Sequence, residues 1–125
     1  MPRQYVRVPI REHEFSRIGL LAELPGQTLR KLSERMRRDS IGAGAEVVRE
    51  GDRGKRFYVV LSGVLTVTQE ARGERNMLKP GDYFGEVALT MDMPRTASVR
   101  ALTPSVVASC DRETFDEFIR PLFCD

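Results

Sequence analysis

The chain has no tryptophan, a single histidine and two cysteines among its 125 residues. His13 stands alone in a segment of helical pattern, so no His/carboxylate ligand set can be assembled and no imidazole is available to activate a nucleophile. Cys110 and Cys124 fall in no CxxC or Cys/His spacing, which argues against both a disulfide framework and a thiolate metal site. Cys110 follows Val106 and Ala108 at a period of two and reads as a small core residue of a strand, while Cys124 reads as a terminal thiol. A reducing cytoplasm suits both. No run reaches about 18 uncharged apolar residues, and "MPRQYVRVPIREHEF" has no apolar core of the kind a signal peptide needs. An excess of one charge is also missing. Twenty Lys and Arg against 18 Asp and Glu leave a formal charge of +2, which carries no nucleic-acid footprint.

At this length, with 41% hydrophobic residues, one domain with one core is expected. Residues 1–10 read as a flexible N-terminal arm and 11–125 as the domain. In "REHEFSRIGLLAELP", Phe15, Ile18 and Leu20 or Leu21 sit at helical spacing, and a short helix is predicted to end near Gly19. Leu29, Leu32 and Met36 make an i, i+3, i+7 stripe opposite Arg30, Lys31, Glu34 and Arg37, which predicts an amphipathic helix starting just after Pro25. The basic end of that helix, Arg35, Arg37 and Arg38, is explained by the preference of cations for helix C-termini and is given no nucleic-acid role.

After Gly42 the pattern changes to short apolar runs bounded by glycines: "AEVVRE", "RFYVVLSG", "VLTVTQE", "NMLKPG", "YFGE", "ASVRAL" and "SVVASCD". Runs of this length and composition predict an antiparallel β-roll, a jelly-roll barrel. A last helical segment, "DRETFDEFIRPLF", has Asp111 as its N-cap and Phe115, Phe118 and Ile119 on one stripe, with Pro121 expected to interrupt it. The predicted fold class is mainly β with flanking helices: a helical segment, the roll, then a C-terminal helix.

One stretch fits neither a helix nor a strand of ordinary length. "GDYFGEVALTMDMPRTASV", Gly81 to Val99, sets Glu86 and Arg95 beside small, turn-forming residues where backbone N–H groups can be left to face a ligand, an anion site in outline. The guanidinium of Arg95 offers paired planar donors suited to two phosphate oxygens. Gly85, Val87, Ala88 and Leu89 are placed to begin one helical turn whose N–H groups face the same anion. Phe84, Val87, Leu89 and Val99 are expected to pack this stretch into the roll.

Two linked motifs, "GAEVVREGDRGKRFYVVLSGVLTV" (Gly44 to Val67) and "FGEVALTMDMPRTASV" (Phe84 to Val99), resemble the cyclic nucleotide-binding domain family. That family is shared by regulatory subunits of cAMP-dependent protein kinase, cyclic-nucleotide-gated channels and catabolite-activator-type regulators. The resemblance covers roughly Leu20 to Phe123, with the second motif similar to the family's phosphate-binding cassette. It implies that Gly85 and Ala88 are backbone phosphate donors, Glu86 the ribose-binding carboxylate and Arg95 the phosphate-binding arginine. Thr96 and Ser98 resemble the polar positions after that arginine. Phe84, Val87, Leu89 and Ala97 complete the implied ligand-binding set, and Val48, Val59, Leu61 and Leu78 are candidates for the apolar wall.

The implied ligand is cAMP, with cGMP also possible through Thr96, and no cofactor, metal or catalytic residue is expected. The implied partner is a fused or associated effector domain. A membrane enters only if the chain belongs to a larger channel or transporter. The family's usual further helix, which closes over the base, would follow the one beginning near Asp111, so a lid is expected from outside this sequence or from a partner. The dimerisation helix and helix-turn-helix of the transcription regulators are not in this sequence, and a regulatory module of a larger protein is the expectation. Two other classes fit the sequence less well. A cupin-type metal enzyme needs several convergent ligands that one histidine does not provide, and a β-roll that serves only protein interaction would have no use for Glu86 and Arg95 together.

Overall fold

The computed structural model describes residues 4–6, 12–15 and 18–123, with side chains at 14, 15, 18–73 and 76–123. Two antiparallel sheets face one another, and a layer of helices covers the outer side of one of them. The helices come first: α1 (Glu12–Phe15), α2 (Gly19–Ala22) and α3 (Gly26–Arg35). The apolar spacing of Phe15, Ile18 and Leu21 does bury all three, but in two short helices. Gly19 begins the second helix, contrary to the expected helix end there; Leu21 and Ala22 close it by donating their N–H groups to the Ile18 carbonyl. The third helix starts after Pro25 and buries Leu32, with Met36 buried just past its last turn.

The larger sheet has the order β1 (Gln4–Val6), β2 (Arg37–Ile41), β9 (Ser105–Asp111), β4 (Arg56–Ser62) and β7 (Tyr83–Phe84). The smaller has the order β3 (Glu46–Val48), β8 (Ser98–Ala101), β5 (Leu65–Gln69) and β6 (Gly73–Leu78). Part of the predicted arm is therefore ordered structure, since Gln4–Val6 pairs with Arg38–Ser40; the rest of residues 1–10 lies outside the described residues, as do Cys124 and the His13 side chain.

Strand β4 sits inside the sheet and is covered on both faces, so Phe57 to Val60 are buried without a break. Phe57 and Val59 point to the helices, where they join Phe15, Leu32, Phe115 and Ile119. Tyr58 and Val60 point between the sheets, among Leu65, Phe84, Val99 and Val107. Cys110 belongs to the helix-facing cluster, and burial pushes its thiol up to about 12. Strand β2 has a charged sequence, RRDSI, because its inward Asp39 is fully buried against Arg37 at 3.2 Å. Arg38 pairs with Glu14, and Arg35 with Glu117 at 2.6 Å. The basic run is thus answered by carboxylates within the domain.

The C-terminal helix opens as read. The Asp111 side chain accepts from the Thr114 N–H at 2.9 Å, and α5 (Arg112–Thr114) passes into a π-helical stretch, Phe115–Ile119, and then α6 (Arg120–Phe123). Pro121 does not interrupt it. The widened turn ahead of the proline relieves the clash its ring would make in a regular α-helix. Among the described residues no helix is long and apolar enough to cross a membrane.

Candidate functional site

The site is built where β7 leaves the larger sheet. Phe84 stacks on Tyr58, ring centroids 4.8 Å apart and planes 5° apart, which anchors the chain before it turns. Gly85 then adopts φ 95°, a left-handed conformation that a side chain would strain, and serves as N-cap of α4 (Glu86–Thr90). Space forbids a side chain as well. A β-carbon on Gly85 would lie 2.7 Å from Arg95 Nη1 and 3.0 Å from the Arg56 carbonyl oxygen.

The backbone of Arg95 is held by the turn before β4. Its N–H donates to the Asp52 carbonyl at 2.8 Å, and its carbonyl accepts from the Gly51 N–H at 2.8 Å. Pro94 bridges Arg53 alongside. The guanidinium lies across the base of the turn at Gly85, only 6% exposed, with its carbon 5.9 Å from the Tyr58 ring centroid. Nη1 donates to the Gly85 carbonyl at 3.1 Å and Nη2 to the Arg56 carbonyl at 2.7 Å. Gly54 makes room for it, since a β-carbon there would fall 2.2 Å from the guanidinium carbon. Burial shifts this arginine below its ordinary pKa, with Tyr58 and Glu86 acting weakly in the other direction. A cation desolvated this far gains from a nearby anion.

A cavity of about 220 Å³ opens beside it, lined by Phe84, Gly85, Glu86, Val87, Ala88, Arg95, Thr96 and Ala97 together with Val48, Val67, Leu78, Tyr83 and Val99. Glu86 is half-buried there, and its pKa is raised by desolvation; backbone N–H groups of Val87 and Glu86 itself and the charge of Arg95 offset part of that. Glu86 forms no ion pair with Arg95 among the described contacts, so the two charges remain separate features of one cavity. Its lining combines a cation, a carboxylate acceptor and an apolar wall.

Eight of the ten residues proposed from sequence line this cavity. Leu89 does not: it is the residue after Ala88 on a helix, so it faces the other way and is fully buried in the helix-facing cluster. Ser98 is also outside the lining, its hydroxyl accepting from the Glu50 N–H at 2.9 Å. Val87 is 43% exposed at the cavity's rim, contrary to the expected packing into the roll. Of the wall candidates, Val48 and Leu78 line the cavity, whereas Val59 and Leu61 pack with the helices because they alternate to the other face of β4. Tyr83, Val67 and Val99 were missed as lining residues, and so was the support for Arg95 from Gly54, Arg56 and Tyr58. A glycine three residues before a continuous apolar run was the one available signal for the close approach at Gly54.

The far end of α4 is tied to the C-terminal helix. Arg112 Nη1 and Arg120 Nη2 donate to the Leu89 carbonyl at 3.3 and 3.1 Å, and Arg120 Nη1 to the Thr90 carbonyl at 3.4 Å. These cations satisfy carbonyls that the last turn of a helix leaves free.

Two facing antiparallel sheets enclose this cavity, and the sequence comparisons place the fold in a family. Residues 38–121 match the profile of the cyclic nucleotide-binding domain. The chain belongs to the cyclic nucleotide-binding domain family. It is 33% identical, over 97% of its own length, to a cAMP-dependent protein kinase regulatory subunit of Debaryomyces hansenii, of which it spans 29%. It is 36% identical, over 86% of its length, to the cGMP-dependent protein kinase egl-4 of Caenorhabditis briggsae, of which it spans 15%. Its fold superposes on the regulatory domain of Toxoplasma gondii PKA, a co-crystal structure with cAMP, at a TM-score of 0.85 and 28% identity, covering 89% of this chain and 44% of that one.

Proposed function

We propose that this chain is a sensing domain for cyclic nucleotides, cAMP first and cGMP as well, which passes its bound state to a fused or associated effector. The observation that carries the reading is Arg95, a buried guanidinium held at the floor of a cavity that also contains Glu86. On this reading the phosphodiester takes the guanidinium's paired donors, and the first N–H groups of α4 at Gly85 to Ala88 turn toward the same charge. The Glu86 carboxylate accepts from the ribose 2′-OH. The apolar wall at Val48, Val67 and Leu78 takes the sugar and base, and Thr96 and Ala97 border them.

The role is one of binding. No residue here is assigned a chemical step, and the regulatory kinase subunits among the relatives support a regulatory module. Calorimetric titration of the domain with cAMP and cGMP tests the reading; saturable one-to-one binding of at least one of them is expected, and no binding of either overturns it.

A further inference from the structure

A second cavity, about 370 Å³, lies on the other side of Arg95, between β3 and the turn that leads into β4. Its charges are unbalanced. Arg49, Arg53, Lys55, Arg56 and Arg95 line it against the carboxylates of Glu46 and Asp52 only. Glu46 is already engaged, at 2.8 Å by Arg49 and at 3.9 Å by Arg100. Arg53, Lys55, Arg56 and Arg95 make no ion pair among the described residues, although all four border one hollow. Arg56 is the most telling of them. It is half-buried at the inner end of β4, donates to the Ser109 hydroxyl at 2.9 Å and the Ser109 carbonyl at 3.1 Å, and has Arg37 as a like-charged neighbour, with the charges of Asp39 and Asp111 acting on it only at a distance. A cation partly withdrawn from water and held in no ion pair is costly, and an anion that reached it would recover part of that cost.

The hollow, about 370 Å³, has room for several phosphate groups in a row. Its cations run from the exposed Arg53 and Lys55 at the rim to Arg56 and Arg95 within. We propose that this second cavity binds a small linear polyphosphate, either free or as the triphosphate of a nucleotide. Arg95 is a wall of both cavities, so an occupant of the second draws the guanidinium away from the first and weakens cyclic nucleotide binding. That competition rests on the function proposed above; the polyphosphate site itself does not.

The test is calorimetric titration of the whole domain with inorganic tripolyphosphate and, in a second arm, with ATP, at ionic strength held constant with sodium chloride. Saturable one-to-one binding of at least one probe is expected, weakened about tenfold or more in Arg53→Ala/Lys55→Ala. These two side chains are exposed at the rim and do not line the first cavity, so a thermal melt like the parent's is expected. The stronger of the two probes identifies the source, free polyphosphate or nucleotide. Glu86 lines only the first cavity, and Glu86→Ala is expected to leave tripolyphosphate binding unchanged. Absence of saturable binding by both probes, equal binding by the rim variant, or loss of binding in Glu86→Ala each overturns the site. In a third arm, tripolyphosphate is expected to raise the apparent dissociation constant for cAMP; independent binding of the two ligands overturns the competition. Failure of cAMP to bind alone would count against the proposed function and leave the tripolyphosphate titration to stand or fall by itself.

Discussion

Arg95 Nη1 donates to the carbonyl oxygen of Gly85 at 3.1 Å, so the arginine closes a loop on the residue that opens the site helix. Both ends of the motif Gly85 to Arg95 are therefore held by one guanidinium. The same group is the cation of the cavity, so on the proposed reading it has a structural and a ligand-binding role at once.

Replacing it should separate those two roles. Arg95→Leu is expected to weaken cAMP binding about ten- to a hundredfold, the equivalent of one charge-assisted contact of roughly 1.5–3 kcal/mol. It should also lower stability by about 1 kcal/mol, because the Gly85 and Arg56 carbonyls lose their donor. Arg95→Lys keeps the charge without the planar fork and should recover only part of the affinity. Calorimetry and denaturant unfolding on the same preparations check all three; parent-like titration of Arg95→Leu would move the site elsewhere.

Glu86 is expected to read the ribose hydroxyl. The parent should bind 2′-deoxy-cAMP more weakly than cAMP, and Glu86→Ala should largely erase the difference. Burial raises the pKa of this carboxyl, so the acceptor is lost by protonation at a higher pH than for an exposed glutamate. The preference for cAMP over its deoxy analogue should shrink as pH falls through that raised value, while Glu86→Gln should show no such titration. An equal loss of both ligands in Glu86→Ala would make the residue structural.

Asp111 titrates in the opposite sense. Its bonds to Thr114 hold its carboxyl below the usual carboxylate range, so the folded state binds its proton less readily than the unfolded state. The stability it contributes is present above the unfolded pKa of about 3.9 and is lost as pH falls through the lower folded value. Asp111→Ala should cost about 0.5–2 kcal/mol at neutral pH. The gap between parent and variant in unfolding free energy should close in acid; a gap that persists unchanged there would mean the cap is not the cause.

The carbonyl contacts of Arg112 and Arg120 on Leu89 give a route from the cavity to the C-terminal helix. Hydrogen exchange with and without cAMP is expected to show added protection over 112–123 as well as over 85–98. Arg120→Ala should reduce the first effect and spare the second. Protection confined to 85–98 in the parent would leave the domain a binder without this coupling.

Thr96 borders the cavity with its side chain exposed to solvent, where a hydroxyl can meet a guanine 2-amino group that adenine does not have. Thr96→Ala should weaken cGMP more than cAMP by about 1 kcal/mol, the worth of one neutral hydrogen bond. Parallel titrations decide it, and a selective loss of cAMP would show that this hydroxyl does not read the base.

Most strands of the roll were legible because glycines separated the apolar runs from Gly44 to Gly85, and Phe84 could be placed next to the cavity from the motif alone. Strand β2 was not legible. Its inward Asp39 is fully buried beside a partly exposed Arg37, and a charged residue at an inward position leaves no alternation of apolar and polar residues to read. Gly19 misled for a related reason, since glycine marks a helix end in sequence, whereas here the Ile18 carbonyl starts a new turn from it. Around the cavity, the motif marked a stretch that lines it but could not say which way each residue of a single helical turn faced. Ala88 and Leu89 are neighbours in sequence and belong to opposite sides of the wall.

That last pair has a mechanical consequence. The two apolar clusters, one between the sheets and one under the helices, have no side chain in common. Ala88 touches the space on one side and Leu89 is fully buried on the other, so the five residues of α4 straddle the partition. Any tilt that tightens its near end on a small molecule must lift or press its far end against Arg112 and Arg120. Under the function proposed above, such a tilt would link the cavity to the C-terminal helix with both sheets left as they are.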